Sequence, residues 1–173
     1  IDDWNEIATE QKIKERYVFL YVLGDDIKVR KLAAEFAKHK GMKLVMIPDL
    51  LGAYRRKDRR IQSHKILDAT PGDFISLIKH ANYIFTDSFH ACVFSLLYKK
   101  QFFAFQRDKT IKMESRIQNL TQNFRCPERF LGNTEREVRY LLNMKSIDYT
   151  YSNDDLEREK QKSMNFLESS LLG

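Results

Sequence analysis

Short apolar runs alternate along this chain with segments whose apolar residues recur every three or four positions. That alternation predicts an α/β fold, a parallel sheet of Rossmann-like type flanked by helices. The run from Tyr17 to Leu23 (YVFLYVL) reads as a buried strand that stops at Gly24-Asp25-Asp26. In the next segment Val29, Leu32, Ala33, Phe36 and Ala37 share one helical face, and Gly41 supplies the stop. Leu44 to Ile47 is the second strand, closed by Pro48, and residues 51–65 are polar and basic enough that most of the stretch reads as loop. A very short strand is expected at Ile66-Leu67. Thr70 then caps a helix with Pro71 in its first turn and Asp73 where a carboxylate complements the helix dipole. Phe74, Leu77, Ile78 and Ala81 form its apolar stripe.

Tyr83 to Thr86 reads as the fourth strand, Phe89 to Tyr98 as the helix after it, and Phe102 to Phe105 as the fifth strand. Beyond them come a helix from Ser115 to Phe124, a capping-box signature Thr134-x-x-Glu137, and a long helix from Asn153 to Leu171. The pattern divides the chain into a linker at residues 1–15 leading into the domain, a Rossmann-like domain at 16–150, and a C-terminal helix at 151–173.

Composition narrows the setting. At 173 residues, 43% hydrophobic and 31% charged, the chain has the size and balance of one well-cored globular domain. No apolar run approaches the roughly 20 residues of a membrane span, and no signal-peptide pattern opens the sequence. The first residue is Ile1, as expected of a chain that begins inside a longer polypeptide. Cys92 and Cys126 give no disulfide framework and no Cys/His cluster has zinc spacing, so a reducing, cytoplasmic setting and a metal-free site are expected. A net charge of +6 and a pI near 9.2 favour anionic partners: phosphorylated metabolites, lipid diphosphates or nucleic acid. Nucleic acid is the weakest of these, because no helix-turn-helix, RRM or zinc-finger signature accompanies the charge.

In an open parallel sheet, ligands bind beyond the carboxyl ends of the strands, where helix N-termini aim free N–H groups. This nominates residues 24–27, 48–53, 86–90 and 106–116. The third is the richest, since Thr86-Asp87-Ser88-Phe89-His90 packs hydroxyl, carboxylate and imidazole into one strand-to-helix turn. Ser88 or Asp87 can cap the helix, the amides after it can face an anion, and a histidine can deliver a proton near neutral pH. The competing reading is that Asp87 and Ser88 only cap and that His90 is a satisfied histidine on a buried helix.

The stretch from Asp73 to His90, DFISLIKHANYIFTDSFH, resembles the polysaccharide pyruvyl transferase family, whose members carry a "DF-SLIK-A-yv-TDSFHG" pattern. The similarity continues through Phe94-Ser95, the strand Phe102 to Phe105, and Ser115-Arg116-Ile117-Gln118-Asn119-Leu120, which resembles the family's "SRI-NLL" segment. Arg129 and Ile147-Asp148-Tyr149 also fall where family members carry similar residues. The resemblance implies the C-terminal half of a GT-B-like two-domain enzyme. It also implies transfer of pyruvate from phosphoenolpyruvate to two hydroxyls of a saccharide acceptor, forming a ketal in bacterial cell-surface polysaccharide synthesis. Phosphoenolpyruvate is then a donor substrate, and no cofactor is required. In that reading His90 is the general acid or a phosphate ligand. Ser88, Phe89, Asp87, Arg116 and Arg107 bind substrate, with Lys109 as a helper. Where the family has Gly-Thr after its histidine, this chain has Ala91-Cys92, which places an extra methyl at the mouth of the turn.

Other features admit plainer explanations. The run Arg55-Arg56-Lys57-Asp58-Arg59-Arg60 suits a lipid-diphosphate acceptor or peripheral contact with an anionic membrane surface, but a solvated loop accounts for it as well. Cys92 near a helix start could be nucleophilic, against the more ordinary expectation of a small buried side chain. Trp4 reads as core or interface packing. Two other functions stay open: a GT-B glycosyltransferase using a nucleotide sugar, and a non-catalytic flavodoxin-like binding module.

Overall fold

The computed structural model describes residues 1–48, 56–107, 114–132, 136–150 and 152–172. A five-stranded, wholly parallel sheet forms its centre, built from β1 (Tyr17–Tyr21), β2 (Lys43–Met46), β3 (His64–Lys65), β4 (Tyr83–Thr86) and β5 (Gln101–Ala104). The spatial order is β3-β2-β1-β4-β5, the Rossmann-like order in which the direction of strand addition reverses between β1 and β4.

Side chains alternate between the two sheet faces, as a strand's two-residue period requires. Tyr17, Phe19, Ile84, Phe102 and Ala104 join one core, and Val18, Leu20, Phe85 and Phe103 join the other. The first core is covered by α4 (Pro71–His80), α5 (Phe89–Leu97) and α6 (Glu114–Asn123), which contribute Leu77, Ile78, Ala91, Cys92, Leu96 and Ile117. The second is covered by α2 (Ile27–Lys40) and the short α7 (Val138–Leu142), through Val29, Leu32, Ala33, Phe36, Ala37, Val138 and Leu141. Six phenylalanines of these two cores (Phe19, Phe36, Phe85, Phe102, Phe103 and Phe105) are at most 1% exposed, so aromatic rings are a large part of the packing on both sheet faces.

Local chemistry sets the helix ends. Asp26 caps α2 by accepting from the Lys28 amide at 2.7 Å, and Gly41 ends that helix at φ +62°, the left-handed conformation that glycine adopts without steric cost. Thr70 and Asp73 form a reciprocal capping box on α4: the Thr70 hydroxyl accepts from the Asp73 amide, and the Asp73 carboxylate accepts from the Thr70 amide. Ahead of the sheet, α1 (Asp2–Ile7) lies against the α4–α5 layer, with Trp4 edge-on to Phe94 at 5.0 Å and Trp4 itself 41% exposed. A 21-residue helix, α8 (Ser152–Leu172), closes the described chain, and no helix among the described residues is long and apolar enough to cross a membrane.

Several sequence expectations need correction. The short third strand is His64–Lys65, two residues earlier than Ile66-Leu67, because its position is set by pairing with Val45 and Met46 rather than by its own hydrophobicity. The stretch 51–65, expected to be mostly loop, contains regular structure. Arg56–Arg59 form a helical turn, α3, and Asp58 within the basic run is fully buried. β1 stops at Tyr21 rather than Leu23, because the Val22 carbonyl accepts from Arg30 and the Leu23 amide donates to Asp87 instead of to a neighbouring strand. The expected capping box begins at Thr134, which lies outside the described residues, and Glu137 is itself the N-cap of α7, with no side-chain cap bond.

Candidate functional site

The topological switch between β1 and β4 is where an open α/β sheet offers its ligand crevice. Two loops flank it there, residues 22–26 after β1 and residues 87–88 after β4. They are bolted together by Asp87, which is 2% exposed. Its Oδ1 accepts from the Leu23 amide at 2.8 Å and its Oδ2 from the Gly24 amide at 2.7 Å. Gly24 approaches so closely that an added β-carbon would stand 2.8 Å from Asp87 Oδ2 and 2.9 Å from the Arg107 carbonyl oxygen. Arg107 completes the cluster: Nη2 donates to the Asp87 carbonyl at 3.3 Å, and Nε lies 3.6 Å from Asp87 Oδ2, an ion-pair distance. With both carboxylate oxygens held by backbone amides and its charge faced by Arg107, Asp87 shapes the turn from beneath.

The turn itself starts α5. The Thr86 hydroxyl donates to the Tyr21 carbonyl at 2.7 Å and accepts from the Ser88 amide at 3.0 Å, tying β4 to β1 at the point where the chain leaves the sheet. Ser88, 4% exposed, is the N-cap and accepts from the Ala91 amide at 3.5 Å. Phe89 and His90 follow in the first helical turn, where an α-helix leaves N–H groups without intrahelical partners and carries partial positive charge. Phe89 is half-buried, and the Arg116 guanidinium lies over its ring at 4.2 Å from the centroid. His90 is exposed, and no hydrogen bond holds its imidazole among the described residues. The Phe89 and His90 rings meet at 6.0 Å and 76°. An anion at this helix start would thus meet free backbone amides, one imidazole and one guanidinium.

The structure sorts the residues nominated from sequence into two groups. His90 and Arg116 each meet the Phe89 ring at the start of α5, whereas buried Asp87 and Ser88 and partly buried Arg107 form the scaffold under it. Lys109 lies outside the described residues. Ala91 and Cys92 are both fully buried in the core, so the alanine methyl expected at the mouth of the turn points into the sheet-facing side of the helix instead. Burial pushes the Cys92 thiol well above the ordinary thiol range and the Cys126 thiol up to about 12, which favours packing over nucleophilic roles for both. Arg129, 1% exposed, donates to the Lys145 carbonyl and lies over Phe103 at 5.6 Å, a structural setting away from any open crevice. Among the described residues there is no group of three or more His, Cys, Asp or Glu placed to hold a metal.

Two charged residues escaped the sequence reading: Arg30 and Asp58, which are 1% and 0% exposed and lie behind the 22–26 loop. A signal was present for the first. Arg30 stands three residues before Ala33 and seven before Ala37, on the apolar stripe of α2, where a charge needs a buried partner.

Comparison with known proteins agrees with this architecture. The chain resembles a protein from Listeria monocytogenes assigned as a UDP-N-acetylglucosamine 2-epimerase, of GT-B fold, with a TM-score of 0.58 and 16% identity over 89% of this chain and 44% of that one. A UDP-GlcNAc 2-epimerase from Methanocaldococcus jannaschii matches with a TM-score of 0.46 and 16% identity, over 93% of this chain and 48% of that one. The chain therefore spans less than half the length of either structure, and the likeness to the Listeria protein concerns the fold alone. No curated protein matches the sequence. The family model for polysaccharide pyruvyl transferases matches residues 1–109, which include β1 to β5, the Thr86–His90 turn and Arg107 but not Arg116. Matched over well more than half of its 173 residues, the chain belongs to the polysaccharide pyruvyl transferase family.

Proposed function

We propose that this chain is the C-terminal, donor-binding half of a GT-B-like transferase that moves pyruvate from phosphoenolpyruvate to a sugar diol. The observation that carries this is the convergence of the α5 first turn, His90 and the Phe89-stacked Arg116 beside the β1/β4 switch. Phosphoenolpyruvate offers a carboxylate and a phosphate attached to one carbon, and this arrangement offers two kinds of cationic partner at one helix start.

The chemistry balances without a redox partner. A proton delivered to the methylene carbon leaves an oxocarbenium-like centre at the adjacent carbon. One sugar hydroxyl attacks that carbon and loses its proton. The second hydroxyl then displaces the phosphate, giving the ketal and inorganic phosphate. His90 either donates the first proton or binds the phosphate. Arg116 neutralises carboxylate or phosphate, while Asp87, Ser88 and Arg107 hold the turn in place. The acceptor is a saccharide, and in this reading the basic surface suits one carried on a lipid diphosphate at the inner membrane surface. Donor binding is tested by titrating the full-length protein with phosphoenolpyruvate and, separately, with UDP-sugars. The reading requires phosphoenolpyruvate affinity that falls in Arg116→Ala. Affinity for UDP-sugars alone would replace it with nucleotide-sugar transfer.

A further inference from the structure

Behind the 22–26 loop lies a second layer of buried charge. Arg30, at 1% exposure, places Nε 2.5 Å from Oδ1 of Asp58, which is wholly buried. The rest of its guanidinium grips the loop: Nη1 donates to the carbonyls of Gly24 at 2.8 Å and Asp26 at 3.1 Å, and Nη2 to that of Val22 at 3.3 Å. Gly24 is thus held from two sides, its carbonyl by Arg30 and its amide by Asp87. Side-chain charge alternates along this path, from Asp58 through Arg30 and Asp87 to Arg107, which ends at the turn itself.

A buried ion pair is a weak source of stability, because removing two charges from water offsets most of their attraction. This one is also incompletely satisfied, since Asp58 Oδ2 has no hydrogen-bond partner among the described residues. What the pair supplies is geometry. A planar fork with several fixed donors sets three carbonyls and one carboxylate relative to one another, as an apolar pair could not.

We propose that the Arg30–Asp58 pair is a positioning device for the anion-binding turn. It fixes the loop whose amides hold Asp87, and through Asp87 it sets where the first turn of α5 and His90 stand. Arg30 and Asp58 are positioning residues that touch no substrate. The inference rests on reading the turn as the donor site, and it ties α3 in the basic run 55–60 to that site.

The test uses Asp58→Asn, which keeps the volume and removes the charge, and Arg30→Lys, which keeps the charge and removes the fork. The control is Asn82→Ala, which removes the side-chain bond to the Tyr17 amide at the amino end of the sheet, opposite the site. Amide hydrogen exchange and the dissociation constant for phosphoenolpyruvate are measured in the full-length protein. In Asp58→Asn, exchange at Leu23 and Gly24 should quicken about tenfold while Phe19 and Leu20 in β1 stay protected, and affinity should fall about tenfold. Asn82→Ala should lower the melting temperature yet leave both readouts unchanged. Should Arg30→Lys not fold, Asp58→Asn alone carries the test. Unchanged or uniformly faster exchange in Asp58→Asn overturns the proposal, as does an equal loss of affinity in the control. A wild-type protein with no phosphoenolpyruvate affinity sinks the functional reading of the turn, and the exchange pattern then decides the positioning role on its own.

Discussion

Gly24 and Asp87 are fitted to each other: the glycine amide donates to Oδ2 at 2.7 Å, and a β-carbon on Gly24 would stand 2.8 Å from the same oxygen. Gly24→Ala must therefore push the β1 and β4 loops apart and break the bond that joins them. We expect a loss of about 2 kcal/mol or more, combining an overpacked contact with a carboxylate oxygen robbed of its donor. Asp87→Asn should cost about as much by a different route, because one of its two acceptor oxygens becomes an amide donor facing an N–H. Urea unfolding midpoints measure both, and a midpoint for Gly24→Ala equal to wild type would refute the packing argument.

His90 gives the opposite expectation. Its ring is exposed and unbonded among the described residues, so His90→Gln should change stability by no more than about 0.5 kcal/mol. If it is the proton donor, turnover should fall by about a hundredfold or more at saturating phosphoenolpyruvate. If it binds phosphate instead, the loss should appear mainly in KM. Steady-state kinetics on the full-length enzyme with a saccharide acceptor separates the two, and near-normal kinetics excludes both roles.

Arg116→Lys isolates shape from charge. The guanidinium stacks on Phe89 at 4.2 Å, and a lysine ammonium neither stacks nor binds an oxyanion with a two-pronged fork. We expect phosphoenolpyruvate to bind about tenfold more weakly, corresponding to about 1.4 kcal/mol. Calorimetric titration checks this, and Phe89→Leu should weaken binding in the same direction by loosening Arg116. Lysine that restores full affinity would mean that only charge matters there.

The sequence made the Thr86–His90 turn legible for a local reason: an apolar run ends there in a hydroxyl, a carboxylate and a capping serine within a few residues. The parallel sheet flanked by helices was likewise written in alternating strand and helix periods, although its spatial order was not. What stayed hidden was set by partners distant in sequence. Arg30 and Asp58 lie 28 positions apart, and neither predicts the other. β3 exists because Val45 and Met46 offer it an edge, and His64–Lys65 has no strand pattern of its own. Ala91 illustrates a third limit. Its place next to the site was clear, but only the direction of α5 showed that its methyl faces the core.

Asp73 links the leading segment of the chain to α4 and makes that link pH-sensitive. Its carboxylate pairs with Lys12 at 2.8 Å, accepts from the Thr70 amide and hydroxyl at 3.0 and 2.7 Å, and accepts from the Thr9 hydroxyl at 2.8 Å. The Lys12 contact foremost, and the Thr70 and Thr9 bonds with it, hold the acid well below the ordinary carboxylate range, with burial opposing them. A carboxylate whose folded pKa lies below its unfolded value of about 3.9 contributes stability that is complete above roughly pH 5. That contribution is lost as pH falls toward the folded value, because the unfolded chain takes up the proton first. Asp73→Asn should lower stability near pH 7 by about 1 kcal/mol or more, through loss of the capping box and the ion pair, and should flatten the decline between about pH 5 and pH 3. Because Lys12 is largely exposed, high salt should erode only its share of the effect and leave the Thr70 and Thr9 bonds intact. Urea midpoints collected across that pH range for both proteins decide the matter, and parallel curves would show that Asp73 does not carry the acid response.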